Sequence, residues 1–99
     1  MRTILMQFWE ESERGWGIRP DGASLHIDKQ SHKRYIKEVY NDRDINNIPN
    51  EYERIVGNPI EVKVEDEIYN IVSSEKTLRL AQFQLSNLIK LKNIIVDVD

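Results

Sequence analysis

His26, Asp28 and His32 are the nearest approach in this chain to a metal-ligand set. Zinc needs three or four ligands that converge on one point. The H-x-D-x3-H spacing crosses a strand-to-helix junction, which turns side chains in different directions. A capping aspartate beside two surface or packing histidines is the plainer reading, so no metal site is expected. Nucleophilic catalysis has no better support. Ser24, Ser31, Ser73 and Ser74 lie in no G-x-S-x-G elbow. Paired carboxylates such as Glu10 with Glu11, or Glu65 with Glu67, are expected by chance among 17 acidic residues in 99, and read as solvated surface. Gly15-Trp16-Gly17 lacks the lysine and the following helix of a phosphate loop.

The aromatics allow two readings. Trp9 and Trp16 suit a small core as packing anchors. In a binding site the same ring stacks on a base, for about 1–3 kcal/mol. Arg14 and Arg19 flank this stretch, and a guanidinium matches phosphate geometry. Phe83 either joins Leu85, Leu88 and Ile89 on a helix face or stacks on a purine at the helix start. Asn93 suits the left-handed residue that ends a helix, and its amide also suits a base edge or ribose hydroxyl. From the residues alone, the structural reading is preferred for Phe83 and Asn93.

The surrounding chain limits what these residues can build. At 99 residues it is one domain, residues 1–99. Leu, Ile, Val and Phe number 29, enough to take the chain out of the disordered class. The net charge of -3, with 31% of residues charged, excludes a strongly basic duplex binder and a heavily acidic DNA mimic. Zero cysteines remove disulfides, thiolate chemistry and cysteine-based zinc sites. No run of 18 apolar residues exists to span a membrane, and MRTILMQFWEESERG is too acidic for a signal peptide.

Hydrophobic periodicity and turn chemistry then predict the elements. Residues 2–9 read as a strand, 10–15 as a polar turn and 16–18 as a short second strand. Arg19-Pro20-Asp21-Gly22 has the residues of a tight turn, and Ala23, Leu25 and Ile27 alternate in a third strand. The first 27 residues therefore predict an antiparallel meander. Asp28 or Ser31 caps a helix from about Lys29 to Asn41, with Tyr35, Ile36, Val39 and Tyr40 as its apolar stripe. Residues 41–58 form a long connection of the kind that is functional or flexible. A strand over 59–64 follows. Glu65, Asp66 and Glu67 open a second helix carrying Ile68, Tyr69 and Val72. Thr77–Leu80 is a short strand or extended link, a third helix runs from Phe83 through Ile89, and Ile94, Val96 and Val98 make an edge strand. The expected class is α+β: a small antiparallel sheet, an N-terminal β-meander plus later strands, decorated by about three short helices.

The stretch Trp9-Glu10-Glu11, followed by Gly15-Trp16-Gly17-Ile18-Arg19-Pro20-Asp21-Gly22-Ala23-Ser24-Leu25-His26, resembles small phage proteins of the first Thoeris anti-defence family. Pro49-Asn50-Glu51-Tyr52 and Val56-Gly57-Asn58-Pro59 resemble the same family's middle section, as does the later order of elements. The resemblance implies a sponge, not an enzyme. Such proteins bind and sequester, without cleaving it, a cyclic ADP-ribose isomer (of the 1''-3' glyco-cyclic type) made by bacterial TIR-domain proteins. Some also bind cyclic oligonucleotides at separate sites. They act as homodimers or hexamers with pockets at subunit contacts, in the cytoplasm of the infected host, with no cofactor. By the resemblance, Phe83 is the base-stacking residue, Asn93 a polar contact and Arg79 a pyrophosphate contact. Arg19 and Trp16 complete the expected ligand set. Ala23 stands where the family carries an aromatic, and this chain is shorter, which bears on the hexamer and the oligonucleotide site more than on the dimer. The alternative is a small phage protein that inhibits a host defence protein by direct contact.

Overall fold

The computed structural model describes residues 1–13, 17–41 and 52–96. The elements are β1 (Arg2–Glu13), β2 (Gly17–His26), α1 (Lys29–Asn41), β3 (Tyr52–Val64), α2 (Asp66–Glu75), β4 (Thr77–Leu80), α3 (Gln82–Lys90) and β5 (Ile94–Val96). The five strands form one antiparallel sheet in the order β4-β2-β1-β3-β5. With three helices, this is the expected α+β class. Among the described residues no helix is long and apolar enough to cross a membrane.

The first 27 residues form two long strands, not three short ones. β1 continues through Glu10-Glu11-Ser12-Glu13, paired with residues 17–20 of β2. The Arg19-Pro20-Asp21-Gly22 turn chemistry serves a β-bulge instead. Phe8 faces Ala23 and Glu10 faces Pro20, so β2 holds one extra residue there. Gly22 supplies the positive φ of +75°. A Cβ at Gly22 would sit 1.9 Å from the Leu80 carbonyl oxygen, so the close approach of β4 also requires glycine.

β3 likewise starts at Tyr52, seven residues before the predicted strand. Gly57-Asn58-Pro59 lies within it as a second irregularity, where Met6 faces Ile60 and Phe8 faces Val56. Both misreadings have one cause: glycine and proline mark a bulge as well as a turn. The remaining expected connection, residues 42–51, lies outside the described residues.

The period-two alternation gives the sheet two different faces. On one, Ile4, Met6, Ala23, Leu25, Val62 and Val64 are buried against Val72 of α2 and Leu85 of α3. Ile68, Tyr69, Leu78 and Leu88 pack around them. Each fully buried aliphatic side chain here contributes about 1.5–3 kcal/mol. Asp66 and Glu67 occupy the first turn of α2, where carboxylates complement the helix dipole. The Gln84 side chain accepts the Ala81 N–H at 2.9 Å and so holds the start of α3.

The other face is covered by α1. Asp28 is its cap, accepting the Ser31 N–H at 2.8 Å. Gln7, Trp9, Ser24 and His26 lie beneath it, all buried.

Candidate functional site

The face under α1 holds a polar and aromatic layer. The Trp9 indole N–H donates to Ser24 Oγ at 2.7 Å. Ser24 Oγ is 2.7 Å from His26 Nε2, and His26 Nδ1 is 2.9 Å from Thr77 Oγ1. Gln7 Nε2 donates to the carbonyls of Phe8, Val56 and Gly57, at 3.1, 3.2 and 3.1 Å. Only an amide NH2 can face three carbonyls, so Gln7 Oε1 must point the other way. It therefore accepts from His32 Nε2–H at 2.8 Å, which fixes that tautomer.

Burial first, and then the neighbouring His32, push His26 down to about 4. His32 is also lowered, mainly by burial. Both rings are neutral at pH 7, and they meet edge to face at 5.0 Å. The junction therefore does not scatter the two imidazoles, as the spacing led us to expect. Asp28 turns away from them to its capping bond, and both nitrogens of His26 are occupied. No group of three possible metal ligands exists among the described residues. Ser24 and His26 have the distance of a nucleophile and its base, yet both are fully buried, so nothing reaches the serine from solvent.

Arg79 closes the layer. Its guanidinium lies 4.7 Å over the Trp9 ring. Arg79 Nη2 donates to the Asp21 carbonyl at 2.9 Å, to Asp21 Oδ2 at 3.2 Å and to Glu53 Oε1 at 2.9 Å. Arg79 Nη1 reaches the Tyr35 hydroxyl at 3.4 Å. One side chain from β4 thus ties together β2, β1, β3 and α1. Two carboxyl groups already engage Arg79, so a pyrophosphate approaching it would have to displace one of them. The cluster borders a cleft of about 280 Å³ that Leu80 and Ala81 help line.

The remaining candidate residues lie elsewhere. Arg19 borders a second, more apolar cleft of about 380 Å³ on the opposite face. Phe8, Ile18, Pro20 and Val56 line its sheet wall, and Gln82 and Leu85 of α3 its end. This cleft exists because strands of 12 and 13 residues outrun helices of 10 and 9 residues. The Arg19 guanidinium itself is turned to Glu11, at 3.3 Å.

Phe83 sits in the first turn of α3, one residue beyond Gln82, and is 69% exposed. It does not belong to the core that contains Leu85 and Leu88. Asn93 is half-buried beyond the other end of α3. Its N–H donates to the Leu88 carbonyl and its carbonyl accepts the Glu65 N–H. The left-handed residue ending α3 is Lys92, at φ +61°, and not Asn93. Trp16 lies outside the described residues.

Phe83 and Asn93 thus flank α3, while Arg79 and Arg19 lie at separate clefts. The alternation from Ala23 to Ile27 carried a signal for the polar layer. Ser24 and His26 sit between apolar neighbours, a pattern that normally marks a solvent face, and only the cover of α1 makes it an interior. No family model matches the sequence, and no curated protein or solved structure matches it either.

Proposed function

We propose that the protein is a binding sponge for a small cyclic nucleotide of the cyclic ADP-ribose class, which it holds without cleaving. The observation that carries this reading is Phe83. A large aromatic ring, 69% exposed on the first turn of a short helix, contributes little to the core and offers a flat face to a base. Asn93 lies three residues beyond the C-terminal end of α3. The ring and the amide therefore stand toward opposite ends of α3. A second copy, packed with its α3 reversed, brings the Phe83 of one chain to the Asn93 of the other. This favours a homodimer with two shared pockets; a hexamer and a cyclic-oligonucleotide site add further, separate contacts. Retention of a signal calls for a dissociation constant of about 1 nM, or about -12 kcal/mol.

The test is thermal-shift and calorimetric titration with cyclic ADP-ribose isomers, followed by heating and chromatography of what is released. A raised Tm with intact ligand recovered supports the sponge. Altered ligand makes the protein an enzyme. Phe83→Ala should abolish retention while lowering stability by less than about 1 kcal/mol, because little area is buried. A loss of several kcal/mol would place Phe83 in the core and end this assignment.

A second reading is favoured by the exposure of Ile89, Leu91 and Ile95, around the C-terminal end of α3 and β5. An apolar surface of that kind suits direct contact with a host defence protein. It predicts no stabilisation by any isomer and a stable complex with a protein partner.

A further inference from the structure

The outer end of the sheet carries a concentration of charge on the face that α1 covers. The β1–β3 register sets Glu11 directly opposite Glu53. The β1–β2 register sets Arg19 opposite Glu11 on the other side. Asp21 lies beside Tyr35, Glu53 and Arg79 at the cleft on that face. Arg79 reaches in from β4, and a single nitrogen, Nη2, serves both Asp21 Oδ2 at 3.2 Å and Glu53 Oε1 at 2.9 Å. Tyr35 of α1 faces the same cluster through its hydroxyl. Asp21, Glu53 and Arg79, when all are ionised, leave one negative charge in excess, while Glu11 is paired with Arg19 and Glu10 with Arg54.

We propose that one proton on the Asp21–Glu53 carboxyl pair latches the outer end of β3 to the rest of the sheet, and that its loss loosens the β1–β3 pairing at Glu11–Glu53. With the proton present, Glu53 donates to Asp21 while still accepting from Arg79, and these three groups are neutral together. Without it, Glu53 is repelled by Asp21 on β2, and a single guanidinium nitrogen must serve two full charges. The hydrogen bond to Asp21, then burial, hold the Glu53 proton above the ordinary carboxyl range, against the attraction of Arg79. A raised carboxyl pKa stabilises the fold below it, and that contribution is lost as the pH rises through it.

The latch acts on the strand ends that wall the apolar cleft on the opposite face. Val56 and Phe8 are paired there, three residues along from the Glu53–Glu11 pair. Loosening at Glu53 widens that cleft. The inference stands on the cluster's geometry and does not depend on the proposed ligand.

The test is a carbon-13 titration of the side-chain carboxyls, joined to backbone amide exchange, on the full chain. Glu53 should titrate above the ordinary glutamate value of about 4.3. Amides of residues 10–12 and 53–55, corrected for the intrinsic pH dependence of exchange, should lose about tenfold protection across that titration, while the inner Ile4–Val62 region keeps its own. Glu53→Gln, which imitates the protonated carboxyl, should abolish the step. Asp21→Asn, which removes the like charge, should move the Glu53 titration down toward ordinary values, and it keeps the question answerable should Glu53→Gln fold poorly. A Glu53 titration at the ordinary value overturns the latch. So does an equal loss of protection in Glu53→Gln.

Discussion

Met6 and Gln7 are neighbours in the chain, both fully buried, and they face opposite ways. Met6 enters the aliphatic layer under α2 and α3. Gln7 enters the polar layer under α1, bonded to three carbonyls and to His32. The first face is held by area removed from water, which has no direction and tolerates exchange among residues of similar volume. The second is held by hydrogen bonds in a site with little water, where a missing partner leaves a polar group stranded. The lesson is that equal burial does not mean equal sensitivity.

Four experiments probe that contrast. Trp9→Ala should have the largest effect, about 3–5 kcal/mol by chemical denaturation, as for other buried aromatics. It also takes one of two partners from Ser24, which keeps His26, and removes the ring beneath Arg79, so amide exchange should rise on β4 as well as on β1. Gln7→Met keeps the side-chain length but withdraws the amide, and should cost about 2–4 kcal/mol through the unsatisfied carbonyls and His32. An effect below that of a surface substitution would show that water replaces the amide and would remove the distinction between the faces.

Acidification addresses the same layer without mutation. The folded pKa of His26, about 4, lies below its unfolded value of 6.5, so the unfolded chain binds the proton more readily. Stability is therefore full above about pH 6.5 and falls as the pH drops toward 4, by about 2–3 kcal/mol. Denaturation midpoints measured at several pH values would show this, and His26→Gln should flatten the profile. The Glu53 proton acts with the opposite sign and should partly offset the loss. Met6→Leu should have the smallest effect, below about 1.5 kcal/mol. A larger loss would mean that the aliphatic face is as specifically fitted as the polar one.

How much of this was legible in the sequence divides along the same lines. The residues of α1 were readable to both ends, because Asp28 caps it and its stripe repeats at helical spacing. Val72 and Leu85 were placed correctly on amphipathic helices, since a non-directional force needs only a periodic pattern. The hairpin's length was hidden by Pro20 and Gly22, whose chemistry suits a turn and a bulge alike. The Arg79 cluster was hidden more deeply. Asp21, Glu53 and Arg79 are far apart in the chain, and only the strand order β4-β2-β1-β3 brings them together. Phe83 was legible as an aromatic but not as an exposed one. Its exposure depends on which side of α3 the sheet takes up.

The position of β1 at the centre of the sheet has a consequence for synthesis. Its hairpin partner β2 follows at once, but its second partner, β3, ends only at Val64. At the pace of a ribosome, on the order of 5–20 residues per second, the hairpin spends a few seconds outside the exit tunnel with one flank of β1 unpaired. During that interval the backbone groups that later bond Ile60 and Val62 stand open, on a strand rich in apolar residues. A slow codon or a pause while β3 is still inside the tunnel would lengthen that exposure and favour aggregation over folding. Yield would then depend on translation speed in the second half of the message.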